Sequence, residues 1–301
     1  MATADRRGAA LLARIRLCAC IDGALAALAE REPDDAAVHD ARRELKRARA
    51  LLRLLRATLQ VRIYRRADLL LRDAGRSLAQ ARDVAVLAMA LERMRIAAGL
   101  SRRDVGIIVR AFGRERRAVD LAAAARGARS ALRLARTRLL RAQLLDRGEA
   151  PLVAGLTRIY RRGRRGYAGV GTGPSTERLH VWRRHVKRYW HALEVLVPAR
   201  PRVIRALARE AHFLADLLGE HHDLALLSAR LGAARLPVAT RRRLRVAIAA
   251  RRTRIEIDVL ALGALLYAAG PRRARTRAVR WWQGWASVAR REPAAARPQR
   301  S

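Results

Sequence analysis

The chain has 301 residues, and 65 lysines and arginines set against 26 aspartates and glutamates leave a net charge of +39 and a sequence pI near 11.9. An apolar fraction of 51% is enough for a real core and excludes a wholly disordered chain, while the charge draws anionic partners such as phosphate-rich polymers or an anionic surface. The longest apolar run, Val259 to Gly270, falls short of the ~20 residues that cross a bilayer, so no membrane insertion is expected.

Alanine, leucine and arginine dominate, all of them strong helix formers, and no segment sustains strand alternation. The reading is therefore all-α. The N-terminal string MATADRRGAALLARIRL lacks an uninterrupted apolar h-region, so no signal peptide is expected. The first helix is predicted over 8–30. It carries Cys18 and Cys20, too close together for a disulfide framework, and a reducing cytoplasmic interior follows. Helices are predicted next over 35–59, with Asp34 or Asp35 as N-cap after Pro33, then over 62–78, 82–98 and, as one long element, 102–147. A helix over 151–166 leads into the Gly-rich stretch Tyr167 to Ser175, YAGVGTGPS, predicted to be a loop. Ser175 or Thr176 then caps a helix over 176–196, and 201–217, 221–231 and 239–268 complete the set. The divisions expected are 1–148, 149–270 and a basic tail, 271–301. Its last ten residues are expected to be disordered, and Trp281, Trp282 and Trp285 to pack it onto the body.

The bulk charge says less than its arrangement. Only two basic residues are lysines, Lys46 and Lys187, and each lies seven residues after a histidine, His39 and His180. Two lysines placed at random among the basic positions would rarely land in register. Aligned on the histidines, Arg42, Arg43, Lys46 and Arg47 match Arg183, Arg184, Lys187 and Arg188 at a shift of 141 residues, which marks an internal duplication. Spacings of three, four and seven stay on one face of a helix. His39, Arg42, Arg43, Lys46, Arg49 and Arg53 therefore share a face, as do His180, Arg183, Arg184, Lys187 and His191. Ala41, Leu45, Ala48, Leu52, Leu55 and Leu59 form the apolar face behind the first stripe, and Trp182, Val186, Tyr189, Leu193 and Leu196 back the second. The duplication continues beyond the stripes. LRDAGRSLAQARDVAVL from Leu71 aligns with AHFLADLLGEHHDLALL from Ala211, which sets Arg65 on Arg205, Arg72 on His212 and Arg82-Asp83 on His222-Asp223 as secondary candidates. Two copies of a short helical bundle, side by side, would turn both basic faces toward one cleft.

The strings VHDARRELKRARALLRLL, SLAQARDVAVL, LHVWRRHVKRYWHALEVL and LLGEHHDLALL, two in each half and in the same order, resemble the CHAD family, the conserved histidine α-helical domain. The resemblance runs to about Tyr267. It implies two four-helix bundles related by pseudo-two-fold symmetry around a basic central groove that binds inorganic polyphosphate, with polyphosphate granules as a possible location. By position it makes His39, Arg42, Arg43, Lys46, Arg47, His180, Arg183, Arg184, Lys187 and Arg188 the binding residues. The first copy has Ala50 where the second has His191, so the two halves are not expected to bind identically. Some members of the family carry a triphosphate-hydrolysing domain with an ExExK signature; here the nearest string is Glu30-Arg31-Glu32 with Asp34 in place of the lysine. No hydrolysis is expected.

The chemistry agrees with that implication. Polyphosphate is flexible, carries about one charge per phosphate and has no bases, so its receptor needs donors at short intervals and no stacking platform. Arginine grips two oxygens with a planar fork, lysine offers a compact charge, and a helix repeats such groups about every 5 Å along its axis. A nucleic-acid-binding role is the rival reading, because phosphate contacts dominate that affinity too. The stripes hold no stacking aromatics, since Trp182, Tyr189 and Trp190 fall toward the apolar side, and no helix-turn-helix or zinc-finger pattern is present, so nucleic acid is expected to bind only non-specifically. A phosphohydrolase would need a Gly-rich phosphate loop, a nucleophile or paired carboxylates, and none is found. Glu220-His221-His222-Asp223 lacks the i, i+4 histidine pair of a helical zinc site. Asp83 and Asp223 are read as helix caps or as anchors for basic side chains. Neither a cofactor nor a metal is expected.

Overall fold

Runs of alanine, leucine and arginine without strand alternation give helix throughout. The computed structural model describes residues 8–30, 33–78, 83–114, 121–146, 148–171, 173–197, 200–232 and 236–291. Among these residues there are eleven α-helices and no strand. They are α1 (Ala9–Ala27), α2 (Asp35–Leu54), α3 (Val61–Ser77), α4 (Asp83–Met94), α5 (Arg102–Arg114), α6 (Leu121–Arg141), α7 (Ala150–Val170), α8 (Thr176–Leu196), α9 (Pro201–Arg230), α10 (Val238–Leu266) and α11 (Pro271–Arg291). A 3-10 turn, Leu55–Ala57, ends α2. No helix is long and apolar enough to cross a membrane among the described residues.

The duplication is visible in the packing. The 141-residue shift carries α1 onto α7 and α2 onto α8, and it carries α3 and α4 together onto α9. Helix α1 packs on α2 as α7 packs on α8, and α6 lies on α1 as α11 lies on α7. Helices α1, α2, α3 and α6 pack together, as do α7 to α11, and their buried residues join in one continuous apolar core. Helix α4 packs on α9 and touches α10, while α2 packs on α8, so both elements join the halves.

Two caps fix the starts of the stripe helices. The Asp34 carboxylate accepts from the Ala37 amide at 2.7 Å, and the Ser175 hydroxyl accepts from the Arg178 amide at 3.2 Å. Each satisfies a donor that the first helical turn leaves open. The predicted apolar faces are buried as a set: Ala41, Leu45, Ala48, Leu52, Leu55 and Leu59 in the first copy, Trp182, Val186, Tyr189, Leu193 and Leu196 in the second.

Two expectations need correction, and glycine explains both. The segment Tyr167 to Val170, predicted to begin a loop, continues α7, and the chain turns only at Gly171, where φ is +52°. The glycines of α7 serve close approach instead of flexibility: a Cβ on Gly166 would stand 2.9 Å from the Trp182 ring, and one on Gly163 would run into Tyr267. Residues 201–217 and 221–231 form one continuous helix, α9. Gly219 sits inside it because the Arg183 guanidinium lies across that position, 3.2 Å from where a Cβ would stand. In the tail, residues 271–291 form a helix that the sequence reading does not place, α11, which packs against α7. Trp281 is buried there, with Arg277 5.1 Å above its ring. The Trp282 and Trp285 side chains and the last ten residues lie outside the described residues. The span predicted as one helix over 102–147 is described as α5 and α6, with 115–120 outside the description.

Candidate anion-binding site

Helices α2 and α8 cross antiparallel. Arg47 Nε lies 3.8 Å from Glu194 Oε2, whereas Arg53, farther along α2, shares a concavity with Arg188 and His185, farther back along α8. The two histidines that open the stripes therefore point to opposite ends of the crossing. His39 lies 14 residues from Arg53, or about 21 Å along the axis.

The stripes meet at Arg49 and Arg53 on one side and Arg184 and Arg188 on the other. There the concavity is lined by Arg53 of α2, Arg56 of the 3-10 turn, Tyr64 of α3, Arg158, Ile159 and Arg162 of α7, and His185 and Arg188 of α8. Five guanidiniums thus come from four elements, and among the described residues no carboxylate lines the pocket. Asp68 of α3 offsets the charge from outside, 3.3 Å from Arg49 and 3.5 Å from Arg53. A groove between α7 and α8 continues the basic surface, sharing Arg162 and His185 and adding Arg165 and Arg178, with Glu177 and Val181. From Arg178 to Arg188 this track runs for ten residues of α8, about 15 Å.

The crowding has an electrostatic signature. Burial, and then the charges of Arg53, Arg184, Arg49 and Arg162, push the Arg188 guanidinium down to about 10 from its ordinary 12.5. Burial and Arg49 lower Arg53, and burial with Arg56 and Arg162 lowers Arg158. His185 falls to about 4 through burial and the charges of Arg188, Arg162, Arg184 and Arg53, so its ring is neutral at pH 7. Its Nδ1 lies 3.4 Å from Arg188 Nη1.

A second cluster forms where α8 meets α9. The rings of His180 and His222 lie 4.2 Å apart. Burial first, then His222, Arg183 and Arg184, take His180 down to about 4; burial and Arg183 lower His222. Both Nδ1 atoms are buried without a hydrogen-bond partner. Arg183 lies with them across Gly219.

The remaining predicted residues scatter. Arg42 donates to the Gly75 carbonyl on α3 at 3.4 Å, and Arg43 is exposed and paired with Asp40 at 3.1 Å. His39 and Lys46 are exposed, and Lys187 is half-buried. Arg47 and His191 face the other side of the α2–α8 crossing. Arg47 donates to Glu44 at 2.8 Å, and His191 Nδ1 meets Glu194 at 3.1 Å. His191 is only 4% exposed, which sets it among buried polar residues and not on an open basic face. Its ring and that of His212 stack on Trp190, and His212 also meets Asp216 at 3.3 Å. Arg65 and Arg205 are exposed, and Arg72 pairs with Asp73. Arg82 and the side chain of Asp83 lie outside the described residues. Asp223 holds a basic side chain as expected, 3.8 Å from Arg93. His221 is buried in α9 against Glu256, at 2.8 Å. Among the described residues no group of three or more His, Cys, Asp or Glu side chains is placed to hold a metal ion.

Reading the stripes alone misses His185, Arg56, Arg178 and the α7 arginines Arg158, Arg161, Arg162 and Arg165. The signal for α7 is in TRIYRRGRRGY, where spacings of three, four and three make a basic face like that of α2. It has no counterpart in α1, where the 141-residue shift meets Leu17, Cys20, Ile21 and Ala24, so an argument from repetition passes over it.

Fold and site together define an all-α chain with a duplicated helix pair whose crossing gathers arginines into one pocket. The CHAD domain family model matches residues 17–232, most of the chain, and the chain belongs to that family. A search of the curated proteins finds no match. Among solved structures the chain is similar to PptA from Streptomyces chartreusis, with 18% identity and a TM-score of 0.59 over 91% of this chain and 99% of that one. At that identity the likeness is one of fold.

Proposed function

We propose that the chain is a receptor for inorganic polyphosphate, held along the track from Arg178 and Arg165 through Arg162 and His185 to Arg158, Arg188, Arg53 and Arg56. The observation that carries this reading is the convergence of five guanidiniums on one pocket with no carboxylate among its described lining residues. Like charges held together while partly desolvated raise the free energy of the empty site, and a polyanion relieves it. Membership of the CHAD family supports the same ligand, as does the helical repeat of donors. Tyr64 is the aromatic residue of the pocket, and Arg56 lies 5.6 Å over its ring. The residues of the track bind and orient; they include no carboxylate pair or nucleophile placed for phosphoryl transfer, so the role proposed is binding without turnover. A cytoplasmic protein able to associate with polyphosphate granules fits this chemistry. The test is a titration with long-chain polyphosphate of the wild-type chain and of Arg53→Glu. Loss of roughly a hundredfold or more in affinity is expected, since a favourable charged contact becomes a repulsive one. Unchanged affinity would remove the pocket from the binding surface.

A further inference from the structure

The duplication places three positions of the pocket a second time. They are two residues of one stripe helix and one of the other: His185 and Arg188 of α8 with Arg53 of α2. The 141-residue shift carries these to Glu44 and Arg47 of α2 with Glu194 of α8. Those three residues do line a common pocket on the opposite side of the crossing, together with Arg16, Cys20 and His191. The two sites share these three equivalent positions; the rest of their linings and their chemistry differ. The first presents five arginines and, among the described residues, no carboxylate. The second presents two arginines and two glutamates.

We infer that these two pockets have diverged, so that one holds phosphate while its counterpart, neutralised from within by Glu44 and Glu194, is closed to anions. The inference rests on the polyphosphate reading and adds to it that the binding surface is one-sided. Arg47, the one arginine retained at an equivalent position, already donates to Glu44 at 2.8 Å and lies 3.8 Å from Glu194. An incoming phosphate would have to break that bond and then sit beside two stranded carboxylates. The walls differ too. Helix α7 gives Arg158 and Arg162 to the first pocket, whereas α1 gives Arg16, Ala19 and Cys20 to the second, and the positions equivalent to Arg158 and Arg162 are Leu17 and Ile21, buried in the core. The Cys20 thiol adds no charge, since burial and Glu44 push it up to about 12. His191, in the second pocket, is already engaged by Glu194 at 3.1 Å. A chain of phosphates that reaches the crossing is therefore drawn along α7 and α8 and is not shared between matching walls.

The experiment is calorimetric titration of the full chain with inorganic triphosphate, a short anion that can engage the arginines around one pocket. The wild type is expected to bind one equivalent tightly. Arg188→Gln and Arg53→Gln each weaken binding by about tenfold or more, the loss typical of a charge-assisted contact. Their counterparts Arg47→Gln and Glu194→Gln leave it within about twofold. Combining Glu44→Gln with Glu194→Gln adds a second, weaker equivalent. Thermal melts check that each variant folds, and Glu194→Gln, which keeps the Arg47–Glu44 bond, serves if Arg47→Gln is unstable. Two equal sites in the wild type, or equal losses at equivalent positions, would overturn the one-sided reading alone. Failure of the wild type to bind triphosphate or long polyphosphate would overturn the receptor reading and this one with it.

Discussion

Neutralising Arg188 should make the empty protein more stable and a worse receptor at once. The guanidinium sits at about 10 in the fold against an ordinary 12.5, and each pKa unit is 1.36 kcal/mol, so holding it charged costs the ligand-free fold about 3 kcal/mol. Arg188→Gln removes that cost. It also gives up the 3.4 Å contact with His185 Nδ1, worth about 1 kcal/mol. The net expectation is a gain of about 2 kcal/mol, or a rise in Tm of about 4 °C for a chain of this size. A charge-assisted phosphate contact contributes about 1.5–3 kcal/mol, so polyphosphate affinity should drop by about 10- to 100-fold. Circular-dichroism melts with and without polyphosphate, paired with calorimetric titration, read both quantities. The ligand should raise the wild-type Tm by mass action and raise that of the variant far less. A variant that melts below the wild type and keeps full affinity would refute the idea of a strained, anion-seeking cluster.

Further outcomes follow from the same geometry. His180 and His185 sit at about 4, and His191, His221 and His222 are also lowered from 6.5, all with burial as the first cause. As pH falls below 6.5 the unfolded chain takes up protons first, so stability present above pH 6.5 should drain away toward pH 4; acid melts that stay flat over that window would contradict these environments. Polyphosphate beside His185 should raise its pKa, so binding at pH 5.5 should take up protons, detectable by calorimetry in buffers of different ionisation enthalpy and diminished in His185→Gln. Gly263→Ala should cost about 1–3 kcal/mol in a melt, because the new Cβ would stand 2.6 Å from Tyr167 and 2.7 Å from Trp182. Purified protein should release no phosphate from polyphosphate, ATP or triphosphate, and turnover that vanishes in Arg188→Gln would show catalysis at the track.

The helical class, both stripe helices and their buried faces were legible because periodicity records which side of a helix meets the core. Leu45 and Leu52, or Val186 and Leu193, are buried as their spacing requires. The stripes named the region but not the pocket. A helix face spreads over much of the cylinder, and only the antiparallel crossing of α2 and α8 decides that Arg53 and Arg188 meet while Arg47 turns to Glu44 and Glu194. The α7 arginines were hidden because they are not duplicated. Glycine misled the segmentation of α7 and α9, since nothing local separates a glycine that turns a chain, such as Gly171, from one that admits a neighbour, such as Gly163, Gly166 or Gly219. His191, in register with the second stripe, is buried because Trp190 and Glu194 enclose it.

The central claim is that the clustered arginines recognise a flexible chain of phosphates and not polyanions in general. A competition titration tests it most directly, with long-chain polyphosphate displaced by duplex DNA at matched phosphate concentration over a range of salt. Charge release makes both affinities fall steeply with salt, so the comparison must be made at each concentration. The account predicts that polyphosphate binds more tightly throughout and that Arg53→Glu narrows the gap. Equal affinity for the two polymers at every salt concentration would contradict it.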